Sequence, residues 1–296
     1  MEPDPQVPTP APEPEPLPEA PPAVAEALPP RFPVEMGLPE WEAPPAVSEA
    51  PPPPRGWTYW DVALVVGFAF AAQIFVFVGV MVAMLLLRQA RGGSFSYAEA
   101  MSSAGFVLSA QFLWWLAVFW LVYRIVRARD PRPFREAIAW VWPTRPLGLY
   151  LAGGALLALS VAAMSKILPM PKQKMPMELL FRDPKSAFLL AGFGVLIAPL
   201  VEELLFRGFL FPVMQRVHGT LVAVAATAGL FSLVHASQYG WAWQNLLLLG
   251  YVGTVFGTVR AISGSLVPST LLHAAYNFTL FAALYAASNR FQNMNF

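Results

Sequence analysis

The chain has 296 residues, 56% of them hydrophobic and only 12% charged, about half the charged share of an ordinary soluble domain. Cysteine is absent, which excludes disulfides and thiolate catalysis. The net charge of +1 hides an asymmetry: residues 1–55 hold two arginines and ten acids (−8), and the remainder holds 17 basic and eight acidic residues (+9).

Residues 1–55 contain 20 of the 31 prolines, in runs such as PAPEPEPLPEAPP and PPPPR. Proline lacks a backbone donor and fixes φ, so this segment is expected to be a disordered, acidic, partly polyproline II tail. A solvated spacer and a docking arm for a proline-binding or basic partner both fit it. No basic stretch with a short apolar core opens the chain, so no cleavable signal peptide is expected.

From Trp57 the character changes, and residues 56–290 read as a multi-pass membrane domain. A bilayer-spanning helix needs about 20 mostly apolar residues. Seven segments qualify: 60–87, 105–126, 147–168, 187–212, 220–237, 243–260 and 267–288. Trp57, Tyr59 and Trp60 stand at the first as interfacial aromatics. Small residues recur within the spans (LAGGALLALSVAA, LVAVAATAG), as close packing in lipid requires. A soluble all-α core would show polar stripes, and these segments do not. The expected fold is therefore an all-α polytopic bundle of about seven to eight spans around a polar intramembrane cavity.

The second connection, YRIVRARDPRPFREAIAWVWPTR, carries six arginines, and residues 134–142 within it read as an interfacial amphipathic helix. The positive-inside rule puts this connection, and with seven spans the N-terminus, in the cytoplasm. The lysines and arginines of the third connection then lie outside, against that rule. Arginine outnumbers lysine, as a GC-rich genome would favour; the expected location is the cytoplasmic (inner) membrane of a bacterium. No internal repeat suggests a transporter built of two halves.

Ionisable residues inside such segments each cost a few kcal/mol unless paired or hydrated, and are functional candidates for that reason. The fourth span contains APLVEELLFRGFLFP, residues 198–212. Glu203 and Arg207, four apart, share a helix face and can pair. Glu202 points about 100° away, free to act as a general base. A packing pair without chemistry explains Glu203 and Arg207 but not a second glutamate. Pro199 removes a backbone hydrogen bond one turn earlier. The fifth span ends in FSLVH (231–235), where Phe231 and His235 share a face. The seventh carries HAAYN (273–277), where His273 and Asn277 do. His218 falls in an expected loop and is read as solvated.

Together these segments supply a carboxylate, two imidazoles and an amide, an inventory that fits amide hydrolysis. Glu202 would deprotonate a water that His235 and His273 hold, directly or through a metal they ligate. Asn277 would donate to the oxyanion. Zinc or another divalent metal is a possible cofactor on this inventory, with His235 and His273 as candidate ligands. Neither GxSxG nor HExxH is present. Regular alternation of spans would separate the three side chains in depth by about 10 Å. A tilted or broken helix, or a funnel-shaped cavity, must then bring them together.

EELLFR (202–207), FSLVH (231–235) and HAAYN (273–277) resemble the EExxxR, FxxxH and HxxxN motifs of the CAAX-protease and bacteriocin-processing family, in the same order. The likeness covers about residues 185–285 and is closest to the type II CAAX prenyl endopeptidases. It implies an intramembrane endopeptidase. Glu202, Glu203, His235, His273 and Asn277 would form the catalytic set, supported by Arg207 and Phe231. The implied partners are a membrane-associated protein or peptide substrate and the bilayer, with no nucleic acid. Two other classes fit the same residues: a non-catalytic immunity or scaffold protein, and a small proton-coupled transporter using Glu202 as a relay.

Overall fold

The computed structural model describes residues 56–94, 96–171, 175–181 and 183–293. The expected proline-rich tail lies outside the described residues. Among these, the chain is helical and contains no strand. In order come α1 (Tyr59–Ala90), a short α2 (Tyr97–Met101), α3 (Ala104–Arg129), a single turn α4 (Phe134–Ala137) and α5 (Leu147–Ser165). Then follow α6 (Pro184–Gly192), α7 (Ala198–Glu203), α8 (Phe211–Val234), α9 (Trp243–Ser263) and α10 (Leu266–Ala287). Gly264, at φ +65°, closes α9 in the left-handed conformation that only glycine adopts without cost. Ser265 then caps α10 by accepting from the Val267 N–H.

The apolar composition of these helices is spent on their outer surface. Phe70 and Phe75 of α1 are 72% and 78% exposed, and only 6% of that helix's most apolar window is buried within the protein. Such faces are stable in hydrocarbon and not in water. The protein is an integral, multi-pass membrane protein. Among the described residues, five helical stretches are long and apolar enough to cross a membrane, and one of them runs for 51 residues, Pro184–Val234.

That stretch is not one straight rod. Gly219 breaks it with φ 82° and ψ 170°, and the rings of Phe206 and Phe231 meet at 5.5 Å. Twenty-five residues of straight helix would hold them about 37 Å apart. The chain therefore reverses at Gly219, and two of the seven expected segments, 187–212 and 220–237, are the arms of this hairpin. The seventh expected segment is α10, whose buried Ser269, Thr270 and His273 dilute its hydropathy. All seven apolar segments are helical.

Small residues let the helices touch. A Cβ on Gly154 would stand 2.3 Å from the Leu272 carbonyl oxygen, so α5 lies directly against α10. Gly253 of α9 packs in the same way on Ala228 of α8. The connection after α3 departs from expectation. Its helix ends at Ala137 instead of running to 142, because Ala139 takes φ 57°. The Ala139 carbonyl accepts from the Leu266 N–H at 2.8 Å, and Ser265 donates to the Val141 carbonyl. The segment thus docks on the start of α10, and Pro143 follows, which disfavours helix at the residue before it.

Candidate active site

The site grows from α7, a six-residue helix set between two π-helical segments, Phe193–Ile197 and Leu204–Leu210. In each, the residue that ends the segment bonds five residues back: the Ala198 N–H to the Phe193 carbonyl, and the Phe211 N–H to the Phe206 carbonyl. In each, the next residue is a proline, Pro199 or Pro212. These wide turns flank the glutamates of α7, and turns of this kind are frequent at functional sites.

Glu203 and Arg207 are fully buried and paired at 3.0 Å. Arg207 also donates from Nη2 to the Gly253 carbonyl at 2.7 Å. Its guanidinium lies 5.0, 5.4 and 5.8 Å from the ring centroids of Phe231, Phe256 and Phe206. Cation–π contacts of about 0.5–2 kcal/mol each offset part of the desolvation of that charge. Phe231 thus lies against both Arg207 and His235, the latter at 4.7 Å.

Glu202 points elsewhere and keeps partial exposure, 17% of its side chain. One carboxylate oxygen lies 3.8 Å from His235 Nε2, and the other lies 3.7 Å from His273 Nε2. The remaining nitrogen of each ring is committed. His235 Nδ1 lies 2.7 Å from the Phe231 carbonyl oxygen, and His273 Nδ1 lies 3.2 Å from Glu203 Oε1. Both partners only accept, so both Nδ1 atoms carry protons. Phe256 stacks on His273 at 4.3 Å and fixes the ring plane. The two Nε2 atoms therefore converge on Glu202 from separate helices.

The depth problem is resolved by the hairpin. Gly219 lies nearly midway in the chain between Glu202 and His235, so the antiparallel arms return His235 to the level of Glu202. Asn277 donates from Nδ2 to the Gly194 carbonyl at 2.7 Å, within the first π segment. His218 is exposed, as expected, but it is helical and stands just before the Gly219 break, 5.9 Å from the Tyr59 ring.

Among the described residues, no group of three or more histidine, aspartate or glutamate side chains is placed to hold a metal ion. The Glu202 carboxylate divides its two oxygens between the imidazoles instead of meeting them at one point. A cavity of about 300 Å³ adjoins α7 but is lined by Phe119, Phe134, Arg135, Trp140, Leu200 and Leu204 among others, and not by Glu202 or either histidine. Sequence reasoning missed the two π segments, the role of Gly253 and the buried Arg260. The available signals were the prolines at 199 and 212 and a charge near the end of an apolar span.

Residues 184–279 match the family model described as Type II CAAX prenyl endopeptidase Rce1-like, a span that contains all three motifs. The match covers 96 of the 296 residues and agrees with the family that the motifs resemble. The membrane-spanning fold and this match support a membrane-embedded peptidase, and such a family implies a membrane-associated protein or peptide as substrate. No curated protein and no solved structure matches the chain.

Proposed function

We propose that the protein hydrolyses a peptide bond of a membrane-associated protein or peptide with a water activated by Glu202. The observation that carries this reading is the placement of Glu202 against two imidazoles whose Nδ1–H groups are already tied down. Two atoms 3.7–3.8 Å apart can both lie about 2.8 Å from one water oxygen. A water between Glu202 Oε1 and His235 Nε2 meets two acceptors and donates one hydrogen bond to each. Its lone pair is then directed at the substrate carbonyl.

In the attack, the water oxygen bonds the carbonyl carbon and its proton passes to Glu202. The oxyanion is stabilised by His273. For this the His273 ring enters the cycle with a second proton, taken from water before substrate binds, on Nε2; Nε2–H donates to the oxyanion, Glu203 accepts from Nδ1–H as the counter-charge, and the ring leaves the cycle in the same state. Collapse breaks the C–N bond, and the proton held on Glu202 goes to the leaving amine. Arg207 orients Glu203 through their ion pair. The proposed setting is a bacterial cytoplasmic membrane.

Comparative proteomics of membrane peptides from cells carrying the wild type and Glu202→Gln tests this. Cleaved fragments found only with the wild type are the expected result. Identical peptide sets together with an intact biological function in the variant would point to a scaffold instead.

A further inference from the structure

The machinery described so far leaves Arg260 without a role, although it is 8% exposed and sits in a membrane-spanning helix. Its Nε donates to the backbone carbonyl of Arg207 at 3.2 Å, and its guanidinium lies 5.6 Å from the Phe211 ring centroid. That carbonyl is a particular one. In the i→i−5 register of Leu204–Leu210, the Phe211 N–H serves the Phe206 carbonyl. The next N–H in line would serve Arg207, but it belongs to residue 212, a proline, and does not exist. A carbonyl left unpaired here, in a buried residue of a membrane span, is costly, because no water is present to bond it.

The same arrangement occurs on the other side of α7. Ala198 serves the Phe193 carbonyl, Pro199 has no proton for Gly194, and Asn277 Nδ2 supplies one at 2.7 Å. Two π segments, two prolines and two orphaned carbonyls are thus each completed by a side-chain N–H from a different helix. Both repairs bracket the turn that carries Glu202 and Glu203. Asn277 lies within a recognised motif, whereas Arg260 lies outside all three.

We infer that Arg260 is a positioning residue: by capping the carbonyl that Pro212 leaves free, it fixes the π register that holds Arg207, and through it Glu203 and His273, in place. The work is done by the N–H at the Nε position and not by the charge. Its effect on catalysis rests on the reading given above; its effect on the register does not.

Substitutions separate these contributions. Arg260→Met keeps the stem and removes every donor. Arg260→Gln loses the charge but places an amide N–H as far along the side chain as Nε. Pro212→Ala returns the missing backbone N–H. Amide hydrogen exchange over residues 204–211, measured on the full chain in detergent, reads the register without reference to activity. Arg260→Met is expected to speed exchange there at least tenfold, Arg260→Gln to leave it close to wild type, and Arg260→Met with Pro212→Ala to recover most of the protection.

Should Arg260→Met fail to fold, the comparison of Arg260→Gln with Arg260→Lys decides: protection kept in the first is expected, and protection kept only in the second means that the charge matters. Unchanged exchange in Arg260→Met, or no recovery in the double variant, overturns the inference. Cleavage of an internally quenched peptide with a farnesylated cysteine four residues from its C-terminus gives the second readout. In Arg260→Met, kcat is expected to fall about tenfold or more with KM unchanged, since a small misplacement of catalytic groups acts on the chemical step. A wild type that does not cleave this peptide counts against the proposed reaction, while the exchange result still decides the role of Arg260.

Discussion

Glu202 and Glu203, neighbours in the chain, address opposite nitrogens of the same imidazole: the first lies 3.7 Å from His273 Nε2 and the second 3.2 Å from Nδ1. This explains the doubled carboxylate in an apolar helix. One glutamate is held by Arg207 and orients the ring; the other keeps access to the outside and to a second histidine.

The two glutamates are therefore expected to fail differently. Glu203→Gln leaves Arg207 buried without its counter-ion and should destabilise the protein by about 3–5 kcal/mol. Glu202→Gln, at a partly exposed position, should change stability by less than about 1 kcal/mol. Thermal unfolding of both variants in one detergent checks this, and equal losses would mean that both carboxylates are structural.

His235→Ala and His273→Ala should each reduce cleavage by about 10²–10³-fold, the first by losing the acceptor that orients the water and the second by losing an oxyanion donor. Helix content by circular dichroism should stay at the wild-type level. His273→Ala should also lower stability the more, since that ring is 3% exposed in its side chain against 15% for His235. Loss of folded protein in both variants would indicate packing residues.

Close helix contact makes a contrasting pair of glycine substitutions. Gly154→Ala forces a methyl group to within 2.3 Å of the Leu272 backbone and should cost about 1–3 kcal/mol or more by pushing α5 from α10. Gly148→Ala, with no atom within 4 Å of the new methyl, should be neutral or gain up to about 1 kcal/mol. Unfolding midpoints of the two variants are the measurement.

The connection after α3 carries a pH dependence. Hydrogen bonds from Arg132 hold the buried Asp130 carboxyl below its ordinary range and raise Arg132 in turn. A lowered carboxylate contributes stability above its unfolded pKa and loses it as pH falls through the folded value. Wild-type stability should therefore drop more steeply than that of Asp130→Asn as pH falls below about 4, and Asp130→Asn should cost about 1 kcal/mol at neutral pH. Parallel curves would remove Asp130 from the account.

The reaction proposed above uses a water held by side chains alone, so cleavage should survive dialysis against EDTA and 1,10-phenanthroline. Loss of activity restored by a divalent metal would show that a metal enters the reaction.

Much of this architecture is readable in the residues. A spacing of four predicts the Glu203–Arg207 ion pair, and apolar length predicts each of the seven helical segments. The hairpin is less visible, because a single Gly219 between two apolar runs does not announce a reversal. The π segments are hidden from periodicity altogether: an i→i−5 register changes which backbone groups pair and leaves composition untouched. Only Pro199 and Pro212 mark it. For the same reason the partner of Asn277 was unreadable. Its acceptor, the Gly194 carbonyl, is a backbone group, which carries no residue signature. The apolar stretch 134–142 shows how tertiary contact overrides a local pattern, since Ser265 and Leu266 take up its backbone after a single turn.

The central claim concerns one proton. The most direct measurement is kcat for the quenched farnesylated peptide with Glu202→Gln and wild type in the same detergent, the unfolding temperatures of the two being matched. The account predicts a fall of about 10²–10⁴-fold in the variant. Cleavage at the wild-type rate by Glu202→Gln would contradict it.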